Sequence, residues 1–268
     1  MDMQKCIGFI NTPPLWKGGQ FGIEQFDFPN VDVSLFKPEP IASKLRLGHQ
    51  MEHVFKQLIK HDNTYEIIIH NLPIRANKHT LGEIDFILKN LKNKKLIHIE
   101  LTYKFYIINP EISGLIHRLM GPNKKDMFFS KMEKIKNQQF KLLHSPEGIE
   151  AIAQRNIDSK QIAHQTCFKA QLFKPYKHNK NHIRPLNSDC LVGFWLYYND
   201  FNTSEFKNHQ FHIPSKSEWV IKAHKNVAWM SHFNALIEIN LYMLKENAPM
   251  VWVKKSNNTI EKFFVVWW

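Results

Sequence analysis

Hydrophobic and polar residues alternate most clearly between Gly82 and Lys104. Two runs, Gly-Glu-Ile-Asp-Phe-Ile-Leu and Leu-Ile-His-Ile-Glu-Leu-Thr-Tyr-Lys, flank a loop rich in Lys and Asn, a pattern that predicts a β-hairpin rather than one helix. A period of two puts Glu83, Asp85 and Ile87 on one face of the first strand, and His98, Glu100, Thr102 and Lys104 on one face of the second. Ile84, Phe86, Leu88, Ile97, Ile99 and Leu101 build the opposite, apolar face. With the turn centred between Lys92 and Asn93, Asp85 falls directly across from Glu100.

The remaining pattern surrounds this hairpin with helices and further strands. Residues 1–40, broken by Pro13-Pro14, Gly18-Gly19, Pro38 and Pro40, read as an irregular arm. Ser43 offers an N-cap to a helix running to about residue 61, with the stripe Leu47, Met51, Val54, Phe55 and Leu58 and with Glu52 on its border. A strand is expected over 65–72, a long loop over 109–123 and a helix over 124–144. That helix carries Phe128, Met132, Ile135 and Leu142 on one stripe, Gln139 on the same stripe, and Lys131, Lys134 and Lys141 on another face. A short helix over 149–154, a strand over 162–173, a basic linker over 174–187 and a strand over 190–198 follow. Ser215 and Glu218 have capping-box spacing and predict a long core helix with the stripe Val220, Ala223, Val227, Met230, Ile237, Leu241 and Leu244. Met250–Val253 and Thr259–Trp267 predict a closing hairpin whose aromatic side chains read as core. The order helix, three strands, helix, strand predicts an α/β fold: an arm over 1–40, a core over 41–175, and an α+β extension over 176–268 packed on that core.

Two carboxylates facing each other across a hairpin repel unless something compensates them. A hard divalent cation does so, since Mg²⁺ is held by one or two carboxylates together with waters and phosphate oxygens. An acid on one strand, followed on the next by an acid and a lysine, resembles the PD-(D/E)XK nuclease superfamily, with Asp85, Glu100 and Lys104 at its metal-binding and catalytic positions. More closely, Leu-Gly-Glu-Ile-Asp-Phe with Glu-Leu-Thr-Tyr-Lys-Phe-Tyr resembles an uncharacterised bacterial family of unknown function linked to that superfamily. Leu47-Gly-His-Gln-Met-Glu52, Gly121-Pro-Asn, Gly193-Phe-Trp195 and Lys216 with Trp219 extend the likeness over most of the chain. The resemblance implies a restriction-endonuclease-like mixed sheet flanked by helices, a metal set of Asp85, Glu100 and Glu52 for Mg²⁺ or Mn²⁺, and accessory roles for Glu83, Thr102 and Gln139. Thr102 stands where the superfamily usually has its lysine, and Lys104 comes two residues later. Four residues of regular strand cover ~13 Å, so Lys104 serves catalysis only if the strand bulges or the side chain leans back.

Composition adds a partner. The chain of 268 residues has 36 Lys and Arg against 24 Asp and Glu, a formal charge of +12 that suits a polyanion such as DNA, although a general Lys and Asn bias produces the same excess. Lys131, Lys134 and Lys141 are the lysines placed to track phosphates. Three cysteines without paired spacing argue against a disulfide framework, and no run is long and apolar enough for a membrane span, so cytoplasmic residence is expected. His178 and His182, with Cys167 and Cys190, have part of a zinc spacing but lack a Cys-x-x-Cys partner. Two functions stay open: a metal-dependent nuclease, or a binding or adaptor protein that keeps the nuclease-like fold without cleavage.

Overall fold

The computed structural model describes residues 1–177 and 182–268. His178 and the rest of 178–181, within the expected linker, lie outside the described residues. The chain is α/β, with a large mixed sheet flanked by helices. It forms two compact units: Met1–Tyr103, Ser130–Lys169 and Pro185–Asn187 make the first, and Lys104–Phe129, Ala170–Arg184 and Ser188–Trp268 the second. Among the described residues no helix is long and apolar enough to cross a membrane.

In the first unit the arm is not irregular throughout, because it opens with helix α1, Asp2–Asn11, which buries Cys6 and Phe9. Thr12 ends the helix. Its hydroxyl donates to the Gly8 carbonyl at 2.8 Å and shares a 2.6 Å bond with the Tyr103 hydroxyl, while Lys169 Nζ donates to the Thr12 carbonyl at 2.6 Å. Helix α2, Leu47–Asp62, buries Met51, Val54, Phe55 and Leu58 of the expected stripe and leaves Leu47 half-buried at its first turn. It starts later than Ser43 because the Gln50 amide reaches back to the Leu45 carbonyl at 2.7 Å, holding the preceding turn out of the helix.

Strands β1 (Tyr65–Ala76), β2 (His79–Asn90) and β3 (Leu96–Ile108) follow as an antiparallel set. Asn90 shapes the β2–β3 turn: its side-chain oxygen accepts the amides of Lys92 and Asn93 at 3.0 and 3.1 Å. Phe86 pairs with Ile99 and Ile87 with His98, the register that the alternation predicts.

The helix expected over 124–144 is interrupted. Helix α3, Phe128–Lys134, passes into a π turn at Ile135–Gln139 and then a last turn at Phe140–Leu142. Gly82 on β2 admits this segment, since a Cβ there would stand 2.8 Å from a Leu142 methyl. Helix α4, Pro146–Ala153, is capped by Ser145, whose hydroxyl accepts the Gly148 amide at 3.0 Å. Strand β4, Ile162–Pro175, then lies beside β3. Ile69, Ile84, Ile87, Leu143, Ile152 and Ile162 form the core beneath the hairpin.

The second unit contains strands β5 (Leu191–Tyr197) and β6 (Gln210–His212), helix α5 (His232–Met243), and strands β7 (Met250–Lys254) and β8 (Ile260–Val266). Its strands are ordered β6-β7-β8-β5, with β8 and β5 parallel. Gly193 lets β5 approach β8, because a Cβ there would collide with the Lys262 carbonyl. Phe194, Phe201, Phe211, Ile239, Val251 and Phe263 fill the core, and Trp252, Phe263 and Phe264 are buried as the hairpin pattern predicts. The capping box at Ser215 and Glu218 forms, but it opens only a single turn, Lys216–Glu218. Beyond that turn the Trp219 and Ile221 carbonyls accept from the buried Lys262 ammonium at 3.4 Å each. Regular helix resumes at His232 under a second cap, Ser231.

Thr12→Val is expected to lower unfolding free energy by about 1–3 kcal/mol, because it removes a buried hydroxyl that joins α1 to β3. Chemical denaturation measures this, and an unchanged midpoint and slope would contradict the role given to Thr12.

Candidate functional site

The paired ladder between β2 and β3 stops at Phe86 and Ile99, one step short of Asp85 and Glu100. There the Leu101 amide donates to Asp85 Oδ2 at 2.9 Å, so a side chain occupies the place of a backbone acceptor. The β1–β2 register, which pairs Leu72 with Ile84 and His70 with Phe86, brings Asn71 across from Asp85 on the other side. Asn71 has a left-handed φ of 51°. A polar row, Asn71, Asp85 and Glu100, therefore crosses three strands, flanked by Leu72, Ile84, Phe86, Ile99 and Leu101 and by His70.

Glu100 is 1% exposed. Burial and the facing Glu100 hold the Asp85 carboxyl well above the usual carboxylate range, while the Leu101 amide pulls it down. Burial likewise pushes Glu100 up, to about 7, against the opposing pull of Lys131 and the Gln139 hydrogen bond. One Glu100 oxygen, Oε2, accepts from Gln139 Nε2 at 3.1 Å. The π turn gives this bond its geometry, adding a residue to the helical repeat just before Gln139. The other oxygen, Oε1, is buried without a hydrogen-bond partner among the described residues, and so is the Thr102 hydroxyl two residues on.

Glu52 enters from α2, where its Oε2 accepts from Asn71 Nδ2 at 3.2 Å and lies 3.2 Å from His49 Nδ1. Its charge raises both buried acids, whereas Lys131 lowers both and Lys134 lowers Glu100. Lys141 and Lys134 are exposed. Glu83 is half-buried opposite Pro73 and makes no side-chain bond among the described residues. Lys104 belongs to the second unit, where Asp126 holds its ammonium at 2.5 Å.

Three histidines that the alternation pattern left without a role continue the acid cluster. His98 Nε2 lies 3.4 Å from Glu100 Oε1 without hydrogen-bond alignment, and His98 Nδ1 is 3.0 Å from His164 Nδ1. His164 Nε2 is 2.7 Å from His144 Nε2, and His144 is exposed. Burial holds His98 and His164 down, to about 4 each, so both are neutral near pH 7. With one proton per ring, the chain is satisfied when its hydrogen bonds run in one sense from ring to ring, and either sense does so. His98 shares a strand face with Glu100, but His144 and His164 sit on other elements with no spacing to announce them.

Among the described residues no three His, Cys, Asp or Glu side chains gather as a complete metal-holding set. The zinc alternative includes His178, outside the described residues; Cys167 is buried, with its thiol pushed up to about 12. A cleft of about 360 Å³ in the second unit is lined by Glu111, Asp200 and Glu205 beside Tyr176, Trp195 and Tyr197, with Lys177 paired to Glu205 at 2.7 Å.

Residues 27–266 match the family described as a domain of unknown function, DUF1853. The chain belongs to the DUF1853 family. The matched span holds every member of the acid cluster and leaves out α1 and the two terminal tryptophans. No curated protein and no solved structure matches this DUF1853 chain. Two of the short motifs quoted above have structural roles in it: Trp195 Nε1 donates to the Ile108 carbonyl at 3.0 Å, and the Lys216 ammonium lies over the Trp219 ring at 5.6 Å. In the Gly121-Pro-Asn motif, Asn123 bonds Asn247 at 2.9 Å and the Ala248 amide at 2.8 Å.

An acid whose folded pKa lies above its unfolded value binds more protons when folded. Its contribution to stability is full at low pH and is lost as pH climbs from about 4.5 to about 7, the window of Glu100. Asp85→Asn keeps an acceptor for the Leu101 amide and removes one of the two repelling charges. Without added metal it is expected to be more stable than wild type at pH 8 by roughly 1–3 kcal/mol, with the difference shrinking toward pH 4. Thermal unfolding across that range reads the effect, and a variant less stable than wild type at pH 8 would contradict the repulsion.

Proposed function

We propose that this DUF1853 protein is a divalent-metal-dependent phosphodiester hydrolase acting on nucleic acid, with DNA the favoured substrate and a restriction-endonuclease-like core around the site. The observation that carries this reading is the pairing of half-buried Asp85 with buried Glu100, whose charges oppose each other and whose Glu100 Oε1 has no hydrogen-bond partner among the described residues. Two acids with no third protein ligand among the described residues suit Mg²⁺ or Mn²⁺, ions that typically take water and phosphate oxygens as further ligands. When bound, such an ion supplies a Lewis acid and makes a bound water acidic enough to attack phosphorus.

The chain's own residues do the rest. Asp85 and Glu100 would hold the ion, Gln139 fixes the orientation of Glu100, and Glu52, tied to Asn71, adds negative charge at the border. Glu83 is an accessory acid, and the Thr102 hydroxyl is a free polar group beside Glu100. Lys131 is the cation that acts on both acids, which makes it the better candidate than Lys104 for stabilising charge on a phosphate in the transition state. Lys134 and Lys141 continue the basic surface along the strand of nucleic acid.

The adaptor reading draws on one observation: Lys104, the lysine of the resemblance, is already neutralised by Asp126. Cleavage assays decide between the two. Linear, circular, branched and single-stranded substrates with Mg²⁺ or Mn²⁺ are expected to be cut by wild type, and Glu100→Gln to lose the metal response. Lys131→Ala is expected to lower turnover at least about tenfold with little change in binding measured without turnover, the pattern of a lost transition-state interaction. Lys104→Ala should have the smaller effect. Binding without cleavage on every substrate would move the protein to the adaptor reading.

A further inference from the structure

Helix α5 is apolar on two opposite faces. Ala235 and Ile239 are buried in the core of the second unit, and Leu236 and Met243 pack against it. On the other face Phe233, Ile237, Leu241 and Leu244 are 70%, 52%, 55% and 75% exposed. The sequence pattern predicts the last three as core, and the interruption at Trp219–Ile221 leaves them uncovered. A helix that is hydrophobic all round is normally covered all round, and a contiguous exposed stripe of this kind marks an interaction surface.

We propose that this stripe is the contact surface for a second copy of the same chain, packed as an antiparallel pair of α5 helices about a twofold axis. The spacing of the stripe is self-complementary. An antiparallel copy centred on Ile239 sets Ile237 against the partner's Leu241 and brings Phe233 within one residue of the partner's Leu244, with each contact repeated by symmetry. Charge points the same way. The chain carries +12, yet α5 contains no Lys or Arg and only Glu238 as an acid, so two like-charged copies meet here with least repulsion. An anionic bilayer would instead select a helix with basic residues along its border. Four side chains fall short of the ~800 Å² per partner of a standard interface, so the dimer is weak and concentration-dependent. This inference does not rest on the proposed function.

Sedimentation velocity on the full chain, from about 1 to about 200 µM, reads it directly, because a weak interface fills only toward the upper end. Wild type is expected to shift toward twice the 31.8 kDa chain mass as concentration rises. Ile237→Lys and Leu241→Glu, each at an exposed position and checked for wild-type circular dichroism and melting, are expected to weaken association at least tenfold. The double variant places opposite charges across both symmetric contacts and should restore association to within a few-fold of wild type. A wild type that stays monomeric at the highest concentration would overturn the proposal, as would single variants that associate normally or a double variant that fails to recover. Binding of monomeric protein to phosphatidylglycerol vesicles, lost in the single variants, would also overturn it by assigning the face to lipid.

Discussion

The repulsion between Asp85 and Glu100 is the constraint around which the first unit is arranged. Both carboxyls are held above their ordinary range by burial, and each stands where the hairpin would otherwise continue its regular ladder. An uncompensated buried carboxylate is costly, and a pair more so, unless a proton or a cation intervenes. The local departures from regular structure are responses to that cost. Backbone pairing gives way to a bond from the Leu101 amide to Asp85, and the helix over 128–142 takes a π turn that delivers Gln139 to Glu100. Gly82 provides the space that this approach needs.

The surroundings of the pair are electrically graded. Lys131 and Lys134 draw the Glu100 carboxyl down, while Glu52, bonded to Asn71, pushes it up. His98, His164 and His144 run from the orphaned Glu100 oxygen to an exposed ring, and the inner two stay neutral because burial excludes their charged forms. On the proposed reading, the neutral histidines add no positive charge that would compete with a bound ion, so Asp85 and Glu100 remain the charges that attract it.

What was legible in the sequence was whatever depends on local periodicity. Alternation through Gly82–Lys104 specified the strand register, and helical spacing specified the buried face of Leu47–Asp62. The predicted opposition of Asp85 and Glu100 follows from that register alone. Features set by distant partners were not legible. Ser215 and Glu218 form their capping box, but the element stops after one turn, and the carbonyls beyond it contact Lys262, some forty residues on. Ile237, Leu241 and Leu244 fit a core stripe by spacing and are exposed, since period says which residues share a face and not what covers it. The π turn and the histidines on other elements likewise depend on contacts that no local pattern encodes.

The central claim, that Asp85 and Glu100 hold a proton in place of a cation, is tested most directly by calorimetric titration of Mg²⁺ into the metal-free protein, repeated in buffers of different ionisation enthalpy. Metal ligands must deprotonate to bind, so the dependence of heat on buffer counts the protons released. With Glu100 raised to about 7 and Asp85 raised alongside it, about one proton or more should leave for each ion bound near pH 6, and progressively fewer toward pH 9. Binding heats independent of buffer across that range, or no Mg²⁺ binding that Glu100→Gln abolishes, would contradict the account.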